Sequence, residues 1–262
     1  MTFNQDWTIL WPKTFNKELA ENRVFRQIHQ SSSKILISNC LPIDFYLHFL
    51  KERPELCHIT HLLVNLEKDL IDKNYRFSIQ DRICFMAEEY SCKHSNQIIL
   101  EINTDIAPKL KKDFCQYLMD ILVFFQERFL SLFNNNSIFI EAPFIELKDM
   151  LDILRALDSK QFFGLSYYPY YYEKQGIETL KTSFLWKPWV QSVLLTDMDF
   201  DFKTEAIPGE GITPNKSACQ IALENKKKIT FIFKPNLLPL DKDAKIDEYI
   251  WKGEHFMSTL KL

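Results

Sequence analysis

The chain is poor in glycine, with 5 in 262 residues. Loops that cradle phosphate need glycine because a Cβ holds the backbone N–H groups away from the ligand. No Gly-x-Gly-x-x-Gly or Walker-type run occurs, which argues against the classical nucleotide-binding folds. A strong charge of one sign is also missing. The formal net charge is -3, so there is no broad basic field, and neither nucleic acid nor an anionic membrane is expected as a partner. The longest apolar run, Tyr117 to Phe133, is broken by Asp120, Gln126, Glu127 and Arg128, too polar to insert in a bilayer. Met1 to Lys13 shows no basic stretch followed by an apolar one, so no secretory leader is predicted.

Paired cysteines are absent too. Cys40, Cys57, Cys84, Cys92, Cys115 and Cys219 include no Cys-x-x-Cys spacing, and they read as reduced thiols in a cytoplasmic protein. Cys57, His58 and His61 lack the second ligand pair that structural zinc requires, so the two histidines read as ordinary surface or strand residues. Asp197, Asp199 and Asp201 alternate with Met198, Phe200 and Phe202. Without a glycine at the bend or a following bidentate glutamate they do not form a calcium loop. Their period of two reads as the polar face of an exposed strand. No Gly-x-Ser-x-Gly elbow is present.

What the chain does have is a regular alternation of short apolar runs and helical patterns. Strands are predicted over Lys34 to Asn39, Ile59 to Leu66, Gln97 to Ile102, Ile138 to Ile140, Phe162 to Tyr168, Ser192 to Thr196 and Ile229 to Phe233. Helices are predicted over Pro42 to Glu52, from Ser78 (capped by Ser78 itself), over Pro108 to Phe133, Ile145 to Leu157 and Lys216 to Asn225. The stretch Ile207 to Pro214 holds two of the five glycines and reads as a loop. Parallel strands need crossover helices. The alternation therefore predicts one α/β domain over 1–262 of repeated βα units, with 1–33 a candidate N-terminal extension.

In such folds chemistry gathers at the carboxyl ends of the strands. The polar residues there are Asn65, Glu101, Asn103, Glu141, Tyr167, Tyr168, Asp197 and Asp199. Leu63-Val64-Asn65-Leu66 and Ile99-Leu100-Glu101-Ile102-Asn103 resemble the Val-Asn-Leu-Ser and Leu-Glu-Ile-Thr-Glu strands of the EAL-domain cyclic-di-GMP phosphodiesterases. Phe231-Ile232-Phe233-Lys234-Pro235 resembles the closing strand of that family, and the likeness covers about residues 60 to 240. It implies a degenerate TIM-like barrel with Asn65, Glu101, Glu141 and Asp197 as ligand-binding residues. Ala142 stands where a second aspartate is expected, so the implied catalytic metal site is incomplete: no metal, no catalytic residue and no cofactor are expected. Mg²⁺ or Mn²⁺ enters only if phosphodiesterase activity survives.

The aromatic run Tyr167, Tyr168, Tyr170, Tyr171 and Tyr172, around Pro169, reads as plain packing or as an interaction surface. Together these features predict a regulatory, non-catalytic module on an EAL-like barrel that binds another protein. Two alternatives stand beside it: a metal-dependent cyclic-di-GMP phosphodiesterase or receptor, and an unrelated α/β assembly or effector protein.

Overall fold

The computed structural model describes residues 6–10, 32–41, 43–44, 46–47, 51, 58–66, 73–90, 95–104, 111–132, 137–141, 145–157, 162–201, 204–225, 228–235 and 243–260. Within them the strands are β1 (Asp6–Ile9), β2 (Ile35–Ser38), β3 (His58–Leu66), β4 (Ser95–Thr104), β5 (Ser137–Glu141), β6 (Phe163–Tyr167), β7 (Val190–Leu195), β8 (Asp197–Met198), β9 (Glu205–Ala206) and β10 (Thr230–Phe233). The helices are α1 (Lys73–Glu89), α2 (Lys111–Leu132), α3 (Leu147–Ala156), α4 (Pro169–Lys174), α5 (Thr179–Trp186), α6 (Asn215–Leu223) and α7 (Asp243–Thr259). The chain divides into two compact units, Ile37–Leu165 and a second made of Met1–Leu36 with Ser166–Leu262.

In the unit 37–165 the strand order is β2-β3-β4-β5-β6, with the first and last strands shared across the division. β3 pairs parallel with β4 along its whole length, from His58↔Ser95 to Leu66↔Thr104. β4 pairs parallel with β5, and β5 with the start of β6. Ile59, Leu62, Ile98, Ile99, Leu100, Ile102 and Ile140 are fully buried, as expected of parallel strands covered on both faces. α1 packs on β3 and α2, and α2 on α3. The long helix buries Phe114, Tyr117, Leu118, Ile121, Leu122 and Phe125 along one stripe and exposes Val123. It covers 111–132 where the sequence predicts 108–133, and α1 begins at Lys73, so Ser78 lies inside the helix rather than capping it.

In the other unit the order is β1-β10-β7-β6, again parallel, with Asp6↔Thr230 to Ile9↔Phe233 and Thr230↔Ser192 to Phe233↔Leu195. Every residue of β7 and β10 is buried. Of the tyrosine run, Tyr167 ends β6 and Tyr170, Tyr171 and Tyr172 lie in helix α4, with Pro169 at its start, where a proline loses no hydrogen bond. The helix ends in a Schellman closure. The N–H of Ile177 bonds to Tyr172 O at 2.9 Å and that of Gly176 to Glu173 O at 2.9 Å, while Gly176 sits at φ +77°, where a Cβ would strain the backbone. Tyr167 stacks on Trp186 at 4.1 Å and on Tyr172 at 5.0 Å. The exposed strand expected at Asp197 to Asp201 is instead a two-residue strand, β8, that is buried and pairs antiparallel with β9.

Candidate functional site

Side chains on a strand alternate faces. His61, Leu63 and Asn65 of β3 therefore share one face. Glu101 of β4, in register with Leu63, lies one step along on the same side. That register brings His61 Nε2 to 2.8 Å from Glu101 Oε2. The other ring nitrogen, Nδ1, is 2.9 Å from Ser38 Oγ at the end of β2. All three residues are buried.

Just beyond β2 the chain turns, with Leu41 N–H bonding to Ser38 O at 3.1 Å. Asn39 fixes the turn through its side chain. Its Nδ2 donates to Leu63 O at 2.9 Å and its Oδ1 accepts Leu63 N–H at 2.8 Å, as a strand residue would. Cys40, next in the turn, is half-buried and not in a disulfide. Its N–H donates to Ser38 Oγ at 3.2 Å, and its thiol makes a hydrogen bond with the His61 ring. Beneath the turn, Tyr46 Oη accepts Ser38 N–H at 3.1 Å. Burial holds the Tyr46 hydroxyl protonated, its pKa far above the ordinary value.

Desolvation by burial would strip the proton from His61, but the hydrogen bonds and charges of Cys40 and Glu101 outweigh it and raise the imidazole from 6.5 to about 9. At neutral pH the cluster therefore holds an imidazolium between a carboxylate, a hydroxyl and a thiol. A thiol beside such a cation is biased toward thiolate. Of the three ring partners, Cys40 alone is half-exposed.

In the other unit a second group of polar side chains gathers where β7, β6 and β10 end. Thr196 Oγ1 donates to Lys234 O at 2.6 Å and shares a 2.9 Å hydrogen bond with Tyr168 Oη. Asn215 Nδ2 donates to Thr196 O at 3.1 Å, and the Lys234 ammonium lies 5.2 Å above the Tyr168 ring. Asp197 ties down the following loop. Its Oδ1 accepts the N–H groups of Met198 and Thr213, each at 3.1 Å, and its Oδ2 accepts that of Gly209 at 2.9 Å. Burial raises its pKa even against these amide bonds, to which Gly211 contributes.

The residues singled out from the sequence fare differently. Glu101 is in the cluster, bound to His61. Asn65 is exposed at the end of β3, in register with Asn103. Glu141 is the last residue of β5, in register with Glu101. Asp197 belongs to the other unit, and both its oxygens are taken by backbone amides. Of the tyrosines, Tyr167, Tyr168 and Tyr172 are buried, and Tyr170 and Tyr171 are half-buried, so packing accounts for three of the five. Sequence reasoning missed Ser38, Cys40 and His61. The period-two spacing of His61 from Asn65 is the one signal that placed it on the same strand face.

No family model matches the sequence, and no curated protein does. Solved structures do. The IolI protein with a bound zinc atom aligns at TM-score 0.66 and 13% identity, over 98% of each chain. A xylose isomerase domain protein from Alicyclobacillus acidocaldarius aligns at TM-score 0.65 and 13% identity, over 98% of this chain and 100% of that one. The D-allulose 3-epimerase of Methylomonas sp., in complex with D-allulose, aligns at TM-score 0.70 and 9% identity, over 98% and 97%.

These neighbours correct the EAL resemblance. The strands that carried it belong to an arrangement shared with xylose isomerase-like TIM barrels, and the regulatory, phosphodiesterase, receptor and assembly readings fall with it. Zinc is present in IolI, but among the described residues the donors do not fit an ion. Both nitrogens of His61 and both oxygens of Asp197 are already committed, and among the described residues no group of three or more His, Cys, Asp or Glu could hold a metal. Also among the described residues, no helix is long and apolar enough to cross a membrane. The chain has a TIM-like α/β fold of repeated βα units, of the kind seen in xylose isomerase-like proteins.

Proposed function

We propose that this protein is an enzyme that moves a proton on a small polyhydroxylated carbonyl compound, of the class of sugars and sugar-derived acids. The observation that carries the reading is the Cys40–His61–Glu101 cluster. A half-buried thiol rests on a buried imidazole, and a buried carboxylate fixes that imidazole. Nucleophile or base, orienting ring and orienting acid recur in this order wherever a side chain must take a proton near pH 7. A perturbed titratable group with a specific charge partner is a candidate for a functional site.

In this reading the Cys40 thiolate takes the proton from the carbon next to the carbonyl. The C–H bond breaks, the S–H bond forms, and the electron pair passes to the carbonyl oxygen as an enolate. Return of the proton to the same carbon on the other face gives an epimer; return to the neighbouring carbon, with the hydroxyl proton passing from the first carbon's oxygen to the enolate oxygen, gives an isomer. His61 remains an imidazolium throughout, paired with Glu101, and holds the thiolate in place. The D-allulose epimerase among the structural neighbours supports the substrate class.

The test is proton exchange. The protein is incubated in D₂O with D-fructose, D-allulose, D-xylulose and dehydroshikimate, and loss of the C–H signal next to the carbonyl is followed by NMR. Deuterium enters at least one substrate with the native protein and stops in C40A and H61Q, both checked for folding by circular dichroism. Exchange in none of the four, or exchange that survives C40A, overturns the reading.

A further inference from the structure

We infer that Ser38 is a positioning residue that holds Cys40 as a thiolate: its hydroxyl reverses direction when the thiol proton moves to the His61 ring, and then donates to the sulfur. Its part in the proton transfer rests on the reading of Cys40 as the base.

The hydrogen atoms on the ring can be counted from its neighbours. Nε2 lies 2.8 Å from Glu101 Oε2, and a carboxylate only accepts. Nε2 therefore carries a hydrogen whatever the charge of the ring. With Nε2 taken, the Cys40 thiol that bonds to the ring shares Nδ1 with Ser38 Oγ, which is 2.9 Å away. That nitrogen alone decides between neutral ring and cation.

Ser38 ends β2 and is wholly buried. Among the described residues its Oγ has two partners, the His61 ring and the Cys40 N–H, which donates to it at 3.2 Å. A backbone N–H cannot accept, so while the ring is neutral the hydroxyl hydrogen goes to Nδ1. When the proton passes from sulfur to nitrogen, the S–H bond breaks, the N–H bond forms and the electron pair stays on sulfur. Nδ1 now donates to Oγ. The hydroxyl hydrogen has to leave it, and a buried donor left without an acceptor is costly. The new thiolate is the acceptor at hand. The serine then accepts from the cation and donates to the anion.

The surroundings fix that hydroxyl. Tyr46 Oη accepts Ser38 N–H at 3.1 Å, and Asn39 ties the turn to Leu63. Among the described residues, Glu101 of β4, Tyr46, and Tyr90 just past α1 are the titratable groups that face the ring and the thiol. Tyr90 Oη donates to Leu41 O at 3.1 Å. Burial raises both tyrosine hydroxyls above their ordinary value, so neither titrates in the range where the thiol and the ring do.

The experiment is the pH profile of Cys40 alkylation by iodoacetamide, located by peptide mass. The native protein, S38A and S38T are compared, each checked for folding by circular dichroism. S38A loses a hydrogen bond to each charge. Its midpoint moves up by about one pH unit, roughly 10-fold less thiolate below the midpoint, while its rate at high pH stays native. S38T keeps the hydroxyl and the native midpoint. A role in packing alone would change the rate at every pH and leave the midpoint in place. An S38A profile that coincides with the native one overturns the inference, as does an S38T profile displaced as far as that of S38A. The D₂O exchange assay separates this result from the reaction. Native exchange with an unmoved S38A midpoint keeps Cys40 as the base and removes Ser38. A moved midpoint with no exchange in any substrate keeps Ser38 as the group that holds the thiolate and removes the reaction.

Discussion

Neutralising Glu101 tests the charge state of the buried cluster directly. In the native protein His61 takes up its proton at about 9 rather than 6.5. A group whose folded value lies above its unfolded one binds its proton more tightly in the folded state. It adds stability that is complete below 6.5 and is lost as the pH rises through 9. At ~1.4 kcal/mol per pH unit the contribution is about 3 kcal/mol. For a chain of this size each kcal/mol moves the melting temperature by roughly 2–4 °C. The native protein should therefore lose roughly 6–12 °C between pH 6.5 and 9 from this residue. Glu101→Gln keeps the shape and a hydrogen bond but removes the charge. Its imidazole keeps Cys40 but loses the carboxylate, one of the two partners that hold the proton, so its melting temperature should change less over the same interval. The assay is a thermal melt by calorimetry at half-unit steps of pH for both proteins. Parallel pH profiles would refute the argument, because they would mean that Glu101 does not hold the proton on His61.

Three further outcomes follow from other parts of the molecule. A Cβ at Gly211 would lie 2.3 Å from Asp197 Oδ1 and 2.4 Å from the Met198 carbonyl oxygen, so Gly211→Ala should cost about 3 kcal/mol from overpacking and loss of amide bonds to a carboxylate; an unchanged melting temperature would contradict this. Lys34 is buried and pairs with Asp6 at 2.9 Å, while Lys228 reaches the same oxygen at 2.8 Å. Lys34→Met removes the buried ammonium and leaves Asp6 with Lys228, so no buried charge stays uncompensated and the loss in urea unfolding should not exceed about 1 kcal/mol. Alkylation of Cys40 by iodoacetamide at pH 7, located by peptide mass, should slow by ~10-fold in His61→Gln as the thiolate is lost; equal rates would show that the ring does not activate the thiol.

The strands and long helices were legible because burial imposes simple patterns. Gln97 to Ile102 is a run covered on both faces, and α2 carries its core residues at three- and four-residue spacing. Helix α4 was not, since a run of tyrosines around a proline carries no helical period, and its packing shows only once Trp186 and Tyr172 are seen stacked on Tyr167. The cluster was legible only in part. Glu101 stood out at a strand end, but its partner His61 lies 40 residues away in the chain, and only the β3–β4 register joins them. Asp197 looked like a ligand because a carboxylate beyond a strand has that reading until its amide partners appear. Asn65 and Glu101 carried the mistaken family likeness for a general reason: any parallel βα repeat sets polar residues just past its strands.

The amide of Asn39 gives the turn after β2 an unusual freedom. A side chain there performs the pairing that the main chain abandons, so the hydrogen-bonded edge of β3 stays sealed while the polypeptide itself departs. Direction of travel and closure of the sheet are thus decoupled at a single residue. What the chain does past Tyr46, whose hydroxyl also holds Ser38, is then separate from the closing of β3. Diversity of substrate, where it arises in proteins built this way, has a place to accumulate that costs the sheet nothing.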